Sequence, residues 1–207
     1  MGLTADQLRA GIDALAKSEP GFAAALARAG YPEPRIRERG YATLLRTIVG
    51  QQVSVAAAAS IWRKLEEQVG DLTDPANIAK ASDEQLRAAG LSRQKASYAR
   101  SLADEVTSGR LDLENLPEDD EDAIKALVRI KGIGRWSAEI YLLFAEGRPD
   151  VWPAGDLAVQ IEIGRILGHA ERPSEKALRA LAAGWSPHRG AAAIMAWHHY
   201  KTDMEVV

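Results

Sequence analysis

The stretch that decides the reading is L-V-R-I-K-G-I-G-R-W-S-A-E-I-Y, from Leu127 to Tyr141. Gly132 and Gly134 bracket a single apolar residue, Ile133. Ahead of them Ala123, Ile124, Leu127 and Val128 fall at helical spacing, and behind them Trp136, Ile140, Leu143 and Phe144 do the same. The pattern predicts a helix, a very tight turn and a second helix. Glycine admits positive φ and lets another molecule approach the backbone closely. A helix that begins at such a turn offers bare N–H groups, which attract phosphate. Lys131 and Arg135 flank the turn and add positive charge. A helical hairpin whose glycines merely permit close packing explains the same pattern, and a lone G-x-G does not choose between the two.

Downstream comes V-W-P-A-G-D-L-A-V, in which Pro153 and Gly155 lead to Asp156 and a helical pattern resumes at Leu157. Hairpin followed by Pro-x-Gly-Asp resembles the helix–hairpin–helix, Gly/Pro-rich loop, aspartate superfamily of DNA glycosylases. Within that superfamily the chain looks most like the 3-methyladenine DNA glycosylase II type, over a region from about Tyr41 to Tyr200. The resemblance implies an all-α fold and a single glycosylase unit with two helical lobes. One lobe would span 38–145 and include the hairpin at 122–145; the other would join 1–37 to 146–207, with the active-site cleft between them.

Composition narrows the class. Of 207 residues, 46% are hydrophobic and 27% charged, which is ordinary for a globular protein, and the net charge is −3. That charge argues mildly against binding DNA by bulk attraction, but charge acts locally, within a Debye length of about 8 Å. No apolar run is long enough to cross a membrane. The opening M-G-L-T-A-D-Q-L-R lacks a basic n-region and apolar core, so a cytoplasmic, nucleoid-associated protein is expected. There is no cysteine, which excludes disulfides, a thiol nucleophile, cysteine-bound zinc and the iron–sulfur cluster of some relatives.

No strand pattern occurs along the chain. Helices are expected over 4–18 with Thr4 as N-cap, over 20–29, and over 41–65 with an interruption at Gly50-Gln51-Gln52-Val53-Ser54. Further helices are expected over 75–90, over 96–107 with Ser92 as N-cap, over 157–167, from Ser174 to Leu181 and over 191–200. The acidic run Glu118 to Asp122 suits the N-terminus of the hairpin's first helix.

Excision of a base builds positive charge on the sugar, and one carboxylate nearby can stabilise it or take a proton from water. Asp156 occupies the family's catalytic position; as the residue before a helix it also suits an N-cap, and the two roles are compatible. Relatives that cut the DNA backbone carry a lysine where this chain has Trp136, so the resemblance implies a monofunctional enzyme using water. An indole in the pocket favours a cationic, alkylated base; packed core is the other reading of Trp136. Tyr141, Trp152, Trp185 and His188 are further pocket candidates by the same resemblance. The segment Gln51, Gln52 and Ser54 matches one that meets the minor groove in relatives, with Gln52 at the wedge position; both glutamines capping or bridging helix ends is the alternative. Arg93 and Lys95 at a helix start, with Lys131, Gly132, Ile133, Gly134 and Arg135 of the turn, are the expected phosphate contacts. Family hairpins bind a monovalent cation through backbone carbonyls, here those of Val128, Ile130 and Ile133; no other cofactor is expected. His198 and His199 are expected as surface or cap residues, since four scattered histidines show no zinc spacing. The expected partner is double-stranded DNA containing alkylated bases, bound by a monomer; a same-fold glycosylase for deaminated or oxidised bases, or a non-catalytic hairpin DNA-binding module, is the alternative.

Overall fold

The computed structural model describes residues 2–205, and within them every regular element is a helix. By internal contacts the chain divides into two units. One comprises the residues up to Arg37 together with those from Glu139 onward, and the other comprises Glu38–Ala138.

The second unit holds α3 (Tyr41–Gly50), α4 (Val55–Val69), α5 (Pro75–Lys80), α6 (Asp83–Ala88), α7 (Arg93–Thr107), α8 (Asp120–Val128) and the first residues of α9 (Arg135–Tyr141). Its core is aliphatic: Leu44, Leu45 and Ile48 of α3, Leu65, Ile78, Leu86, Leu102 and Leu127 are all fully buried. Full burial of one such side chain contributes roughly 1.5–3 kcal/mol, and Tyr41 of α3 adds a buried ring to this mainly aliphatic interior. The expected single helix over 75–90 is two, α5 and α6. The break has a local cause: Ser82 accepts the N–H of Gln85 at 3.2 Å while the Gln85 side chain accepts the N–H of Ser82 at 2.9 Å. That reciprocal capping box starts a new helix.

The first unit holds α1 (Ala5–Ser18), α2 (Pro20–Ala29), α10 (Leu157–Ile166), α11 (Glu175–Leu181) and α12 (Arg189–Glu205). The end of α9 runs on into a π-helical turn, Leu142–Glu146, which closes on Gly147 at φ 77°. The core here is mixed. Trp185 meets Phe22 edge-on at 5.1 Å and Trp152 edge-on at 5.6 Å, and the alanines at 191–193 and 196 line the buried part of α12. Small residues let α1 and α12 approach closely: a β-carbon added at Gly11 would lie 2.8 Å from that of Ala191.

Oxygen-bearing side chains set most of the helix starts. Thr4, Ser54, Asp74, Ser82, Ser92, Asp119, Asp156 and Ser174 each accept a backbone N–H of the helix they precede, at about 1 kcal/mol apiece. Asp120, Glu121 and Asp122 fill the first turn of α8, so the acidic run complements the helix dipole. α12 begins two residues earlier than expected because Asp150 accepts the N–H of Arg189 at 3.3 Å and its guanidinium at 2.8 and 2.7 Å.

Candidate active site and nucleic-acid interface

In the hairpin turn the chain reverses through Ile130 and Ile133, whose N–H groups are donated to Leu127 and Ile130 carbonyls at 3.1 and 3.0 Å. The two side chains are buried at 1% and 3% exposure and anchor the turn from inside. The two glycines have different reasons to be there. Gly132 has φ 84°, and an added β-carbon would fall 2.1 Å from the Tyr98 ring. Gly134 has ordinary φ, and an added β-carbon would meet nothing within 4 Å. Protein packing therefore explains Gly132 and leaves Gly134 unexplained: its bareness is turned to the outside. Lys131 is exposed, while its own N–H is donated to the Ser101 hydroxyl at 3.0 Å. Arg135 is not a free charge, because both its terminal nitrogens are donated to the Glu121 carboxylate.

The Gln51–Ser54 loop is fastened to this turn. The Gln51 side-chain amide donates to the Gly132 carbonyl at 2.8 Å, so it bridges elements as the structural alternative foresaw. Gln52 is exposed and adopts φ 55°, the one non-glycine in the left-handed region among the described residues. Such a conformation costs about 1–3 kcal/mol and persists where the surroundings over-determine it. Around it Val53 is exposed and Val55 is 89% exposed, while Ser54 caps α4 through the N–H of Ala57 at 3.2 Å. At the start of α7, Arg93 is exposed. The half-buried Lys95 donates its ammonium to the Val49 carbonyl at 2.7 Å, and burial lowers its pKa. It closes the C-terminal end of α3, where a cation is favoured.

In the other unit, Asp156 stands at the N-cap of α10. Its Oδ1 accepts the N–H of Val159 at 2.9 Å and the indole N–H of Trp197 at 3.1 Å. The loop ahead is tightly folded, with the Ala154 N–H on the Trp152 carbonyl at 2.8 Å and the Asp156 N–H on the Pro153 carbonyl at 3.0 Å. Trp152, Pro153 and Ala154 are buried, and Asp156 is half-buried. Both roles foreseen for Asp156 are thus geometrically open at once: one oxygen serves the helix and the indole, and the carboxylate is held in one orientation. Trp197 was not singled out in the sequence. It lies 41 residues from its partner, and no local pattern links a residue on the last helix to the N-cap of another.

The aromatic candidates fall into two kinds. Trp136 is 47% exposed, which removes the packed-core reading. Tyr141, Trp152 and Trp185 are buried at 3%, 4% and 6% exposure, and the last two stack within the core of the first unit. The indole N–H of Trp152 is buried without a hydrogen-bond partner. His188 packs beside Gly11 of α1, where its Nδ1 would lie 3.5 Å from an added β-carbon. His198 lies 2.8 Å from the Ala29 carbonyl at the end of α2, a cap as expected. His199 departs from the expected surface position. It is buried, with Nδ1 2.5 Å from Oε1 of the fully buried Glu162, so these two side chains join α10 to α12. Among the described residues no group of three or more His, Asp or Glu side chains is placed to hold a metal ion, and no helix is long and apolar enough to cross a membrane.

Known proteins share this fold. A crystal structure of a DNA-3-methyladenine glycosidase from Bacillus halodurans superposes with a TM-score of 0.84 at 33% identity, covering 92% of this chain and 88% of that one. Schizosaccharomyces pombe 3-methyladenine DNA glycosylase Mag1, solved in complex with abasic DNA, superposes at 0.75 with 27% identity, covering 94% and 96%. In sequence, YfjP of Bacillus subtilis is 28% identical over 165 residues, 76% of this chain; the chain spans 58% of the length of that relative. The family model for HhH-GPD superfamily base excision DNA repair proteins matches residues 45–188, which takes in both the glycine turn and the aspartate loop. The chain belongs to the HhH-GPD superfamily of base excision DNA repair proteins.

Proposed function

We propose that the protein is a monofunctional DNA glycosylase that flips an alkylated purine of the 3-methyladenine type out of duplex DNA and hydrolyses its N-glycosidic bond. It would act as a monomer in the cytoplasm, on nucleoid DNA. The observation that carries this reading is the Asp156 carboxylate, fixed by the Val159 N–H and the Trp197 indole.

As the bond to the base lengthens, positive charge grows on the sugar. A carboxylate about 4 Å away, at an effective dielectric near 20, attracts that charge by about 4 kcal/mol, which is roughly a thousandfold in rate. Attraction of that size is fully useful only when the charge is already in place, because no free energy then goes into orienting it during the reaction. Two donors on one oxygen supply that orientation. Water completes the reaction, since Trp136 offers no amine to form a Schiff base. The exposed face of this indole suits a base made cationic by alkylation. Flipping must come first, because duplex DNA hides the target bond. Gln52, exposed on its strained backbone and flanked by Val53, is the group suited to fill the vacated stack.

The turn at Gly134 would take a backbone phosphate. A monovalent cation held by the carbonyls of Val128, Ile130 and Ile133 would add positive charge there. Neutral oxygen donors suit a hard ion, and the Ile130 carbonyl, which accepts one N–H, keeps a second lone pair.

The test is base release from duplexes carrying 3-methyladenine, 7-methylguanine, ethenoadenine or hypoxanthine in turn. Release of the methylated purines is expected, with strand breaks only after alkali or heat. Borohydride should trap no protein–DNA complex. A trapped complex, or release confined to deaminated bases, would overturn the assignment.

A further inference from the structure

Glu162 is fully buried in the first unit, beside Val159, Ile163 and Gly164 of the same helix. Both its oxygens are taken. Oε1 lies 2.5 Å from Nδ1 of His199 on α12, and Oε2 lies 3.2 Å from Nη1 of Arg165. A carboxylate accepts, so the His199 Nδ1 carries the proton and donates it. His199 is itself buried. Stability alone does not account for such a pair. Taking a carboxylate out of water costs about as much as its pairing returns, and apolar side chains of similar volume often serve a core as well or better. What an apolar pair lacks is direction.

That direction has a use two residues away. Trp197, also on α12, donates its indole N–H to Asp156 at the head of α10. α12 is therefore bonded to α10 both at Asp156 and at Glu162, positions about 9 Å apart along that helix at about 1.5 Å per residue. On α12 the donors are Trp197 and His199, which at about 100° per residue stand about 200° apart around the axis. Turning α12 in either direction shortens one bond and stretches the other. His198, between them, lies 2.8 Å from the Ala29 carbonyl and ties α12 to α2 instead.

We infer that His199, with Glu162, is a positioning residue for base excision: the pair fixes the rotation of α12 and so holds the Trp197 indole on the Asp156 carboxylate. This rests on the glycosylase reading above. Both side chains act through Trp197.

Glu162→Leu combined with His199→Leu tests this against His199→Asn. The paired leucines refill the core without a directional bond, so melting temperature should hold or rise. Single-turnover excision should nonetheless slow by about ten- to a hundredfold, the loss expected from withdrawing a hydrogen bond to a charged group, with KM little changed. His199→Asn, whose amide nitrogen takes the place of Nδ1, should keep a rate near that of the wild type. In a Trp197→Phe background the leucine pair should slow excision no further, because the bond it acts through is already gone. The Trp197 indole N–H signal in a nuclear magnetic resonance spectrum gives a readout besides activity. It is identified among the five tryptophans by its loss in Trp197→Phe, and in the leucine variant it should move upfield and exchange faster with solvent. An unchanged rate in the folded leucine variant overturns the inference, and so does an indole signal that does not move. A loss that adds in full to that of Trp197→Phe, a loss confined to KM, or a His199→Asn protein as slow as the leucine pair has the same force. Should the leucine pair not fold, His199→Ala is compared with His199→Asn, and equal rates or equal indole signals overturn it. If the wild type releases no base, the glycosylase reading falls, and the indole signal still decides whether His199 holds Trp197 in place.

Discussion

Two short loops in this molecule each end in a side chain that caps a helix, and they are built on opposite terms. Gln51 to Ser54 leads into α4 and shows its atoms outward: Gln52 and Val53 are exposed, and the backbone at Gln52 is strained. Trp152 to Asp156 leads into α10 and buries Trp152, Pro153 and Ala154, with the half-buried Asp156 carboxylate accepting from Val159 and Trp197. Capping chemistry is common to both, so it does not account for the difference. A group that binds DNA can wait in water and exchange its partners on contact. A charge that must act on a short-lived cation has to be oriented beforehand, and burial with fixed donors is how that is done.

The largest expected effect tests the buried loop. Asp156→Asn keeps the shape and the cap but removes the charge, so single-turnover excision should fall about a hundred- to ten-thousandfold. Melting temperature and DNA affinity should hold, because Asn caps about as well as Asp. An intact rate would mean that the loop's rigidity serves folding only.

Within the hairpin the two glycines repeat the contrast between inward and outward demands. Gly132→Ala should destabilise the protein by about 2–4 kcal/mol, from positive φ and the overlap with Tyr98. Gly134→Ala should melt like wild type, yet bind lesion and undamaged duplexes more weakly, since a phosphate contact carries no sequence information. Equal melting of the two variants would erase the distinction.

Trp197→Phe keeps a ring but withdraws the indole N–H from Asp156. A hydrogen bond to a charged group contributes about 1.5–3 kcal/mol, so excision should slow by about ten- to a hundredfold, in kcat more than in KM. A change in KM alone would make Trp197 a binding residue instead. The smallest effect belongs to Gln52→Gly, which relieves the left-handed backbone and should stabilise the fold by up to about 1 kcal/mol while slowing excision. If it neither stabilises nor slows, the strain at Gln52 has no use in the exposed loop.

Much of this was legible in the residues because it is local. The two-glycine turn, the caps at Thr4, Ser92 and Asp156, and the interruption at residues 50–54 are all encoded within a few positions. The split at Ser82 was equally local; Ser-x-x-Gln announces it, but the apolar positions Ile78 and Leu86 suggested one continuous helix. What stayed hidden depends on packing across the sequence. Trp197 reaches Asp156, His199 reaches Glu162 and Lys95 reaches the end of α3 only after the helices have been assembled. Each of these long-range partners fixes a side chain whose place no local pattern announces, and His199 is buried by it.

The clamp of Asp150 on Arg189 has a consequence in proton linkage. Burial pushes the Asp150 carboxyl up, but bonds from Arg189 and Ser186 outweigh it, and the group titrates below the ordinary aspartate value of 3.8. A carboxyl depressed in the folded state contributes stability that is complete above its unfolded pKa, about 3.9, and is lost as pH falls through the folded value. Between about pH 5 and 8 the clamp therefore binds no proton on unfolding and adds no slope of its own. The start of α12, the helix that carries Trp197, stays fastened throughout that range. An acid limb in the excision profile above about pH 5 would accordingly have an origin other than release of this clamp.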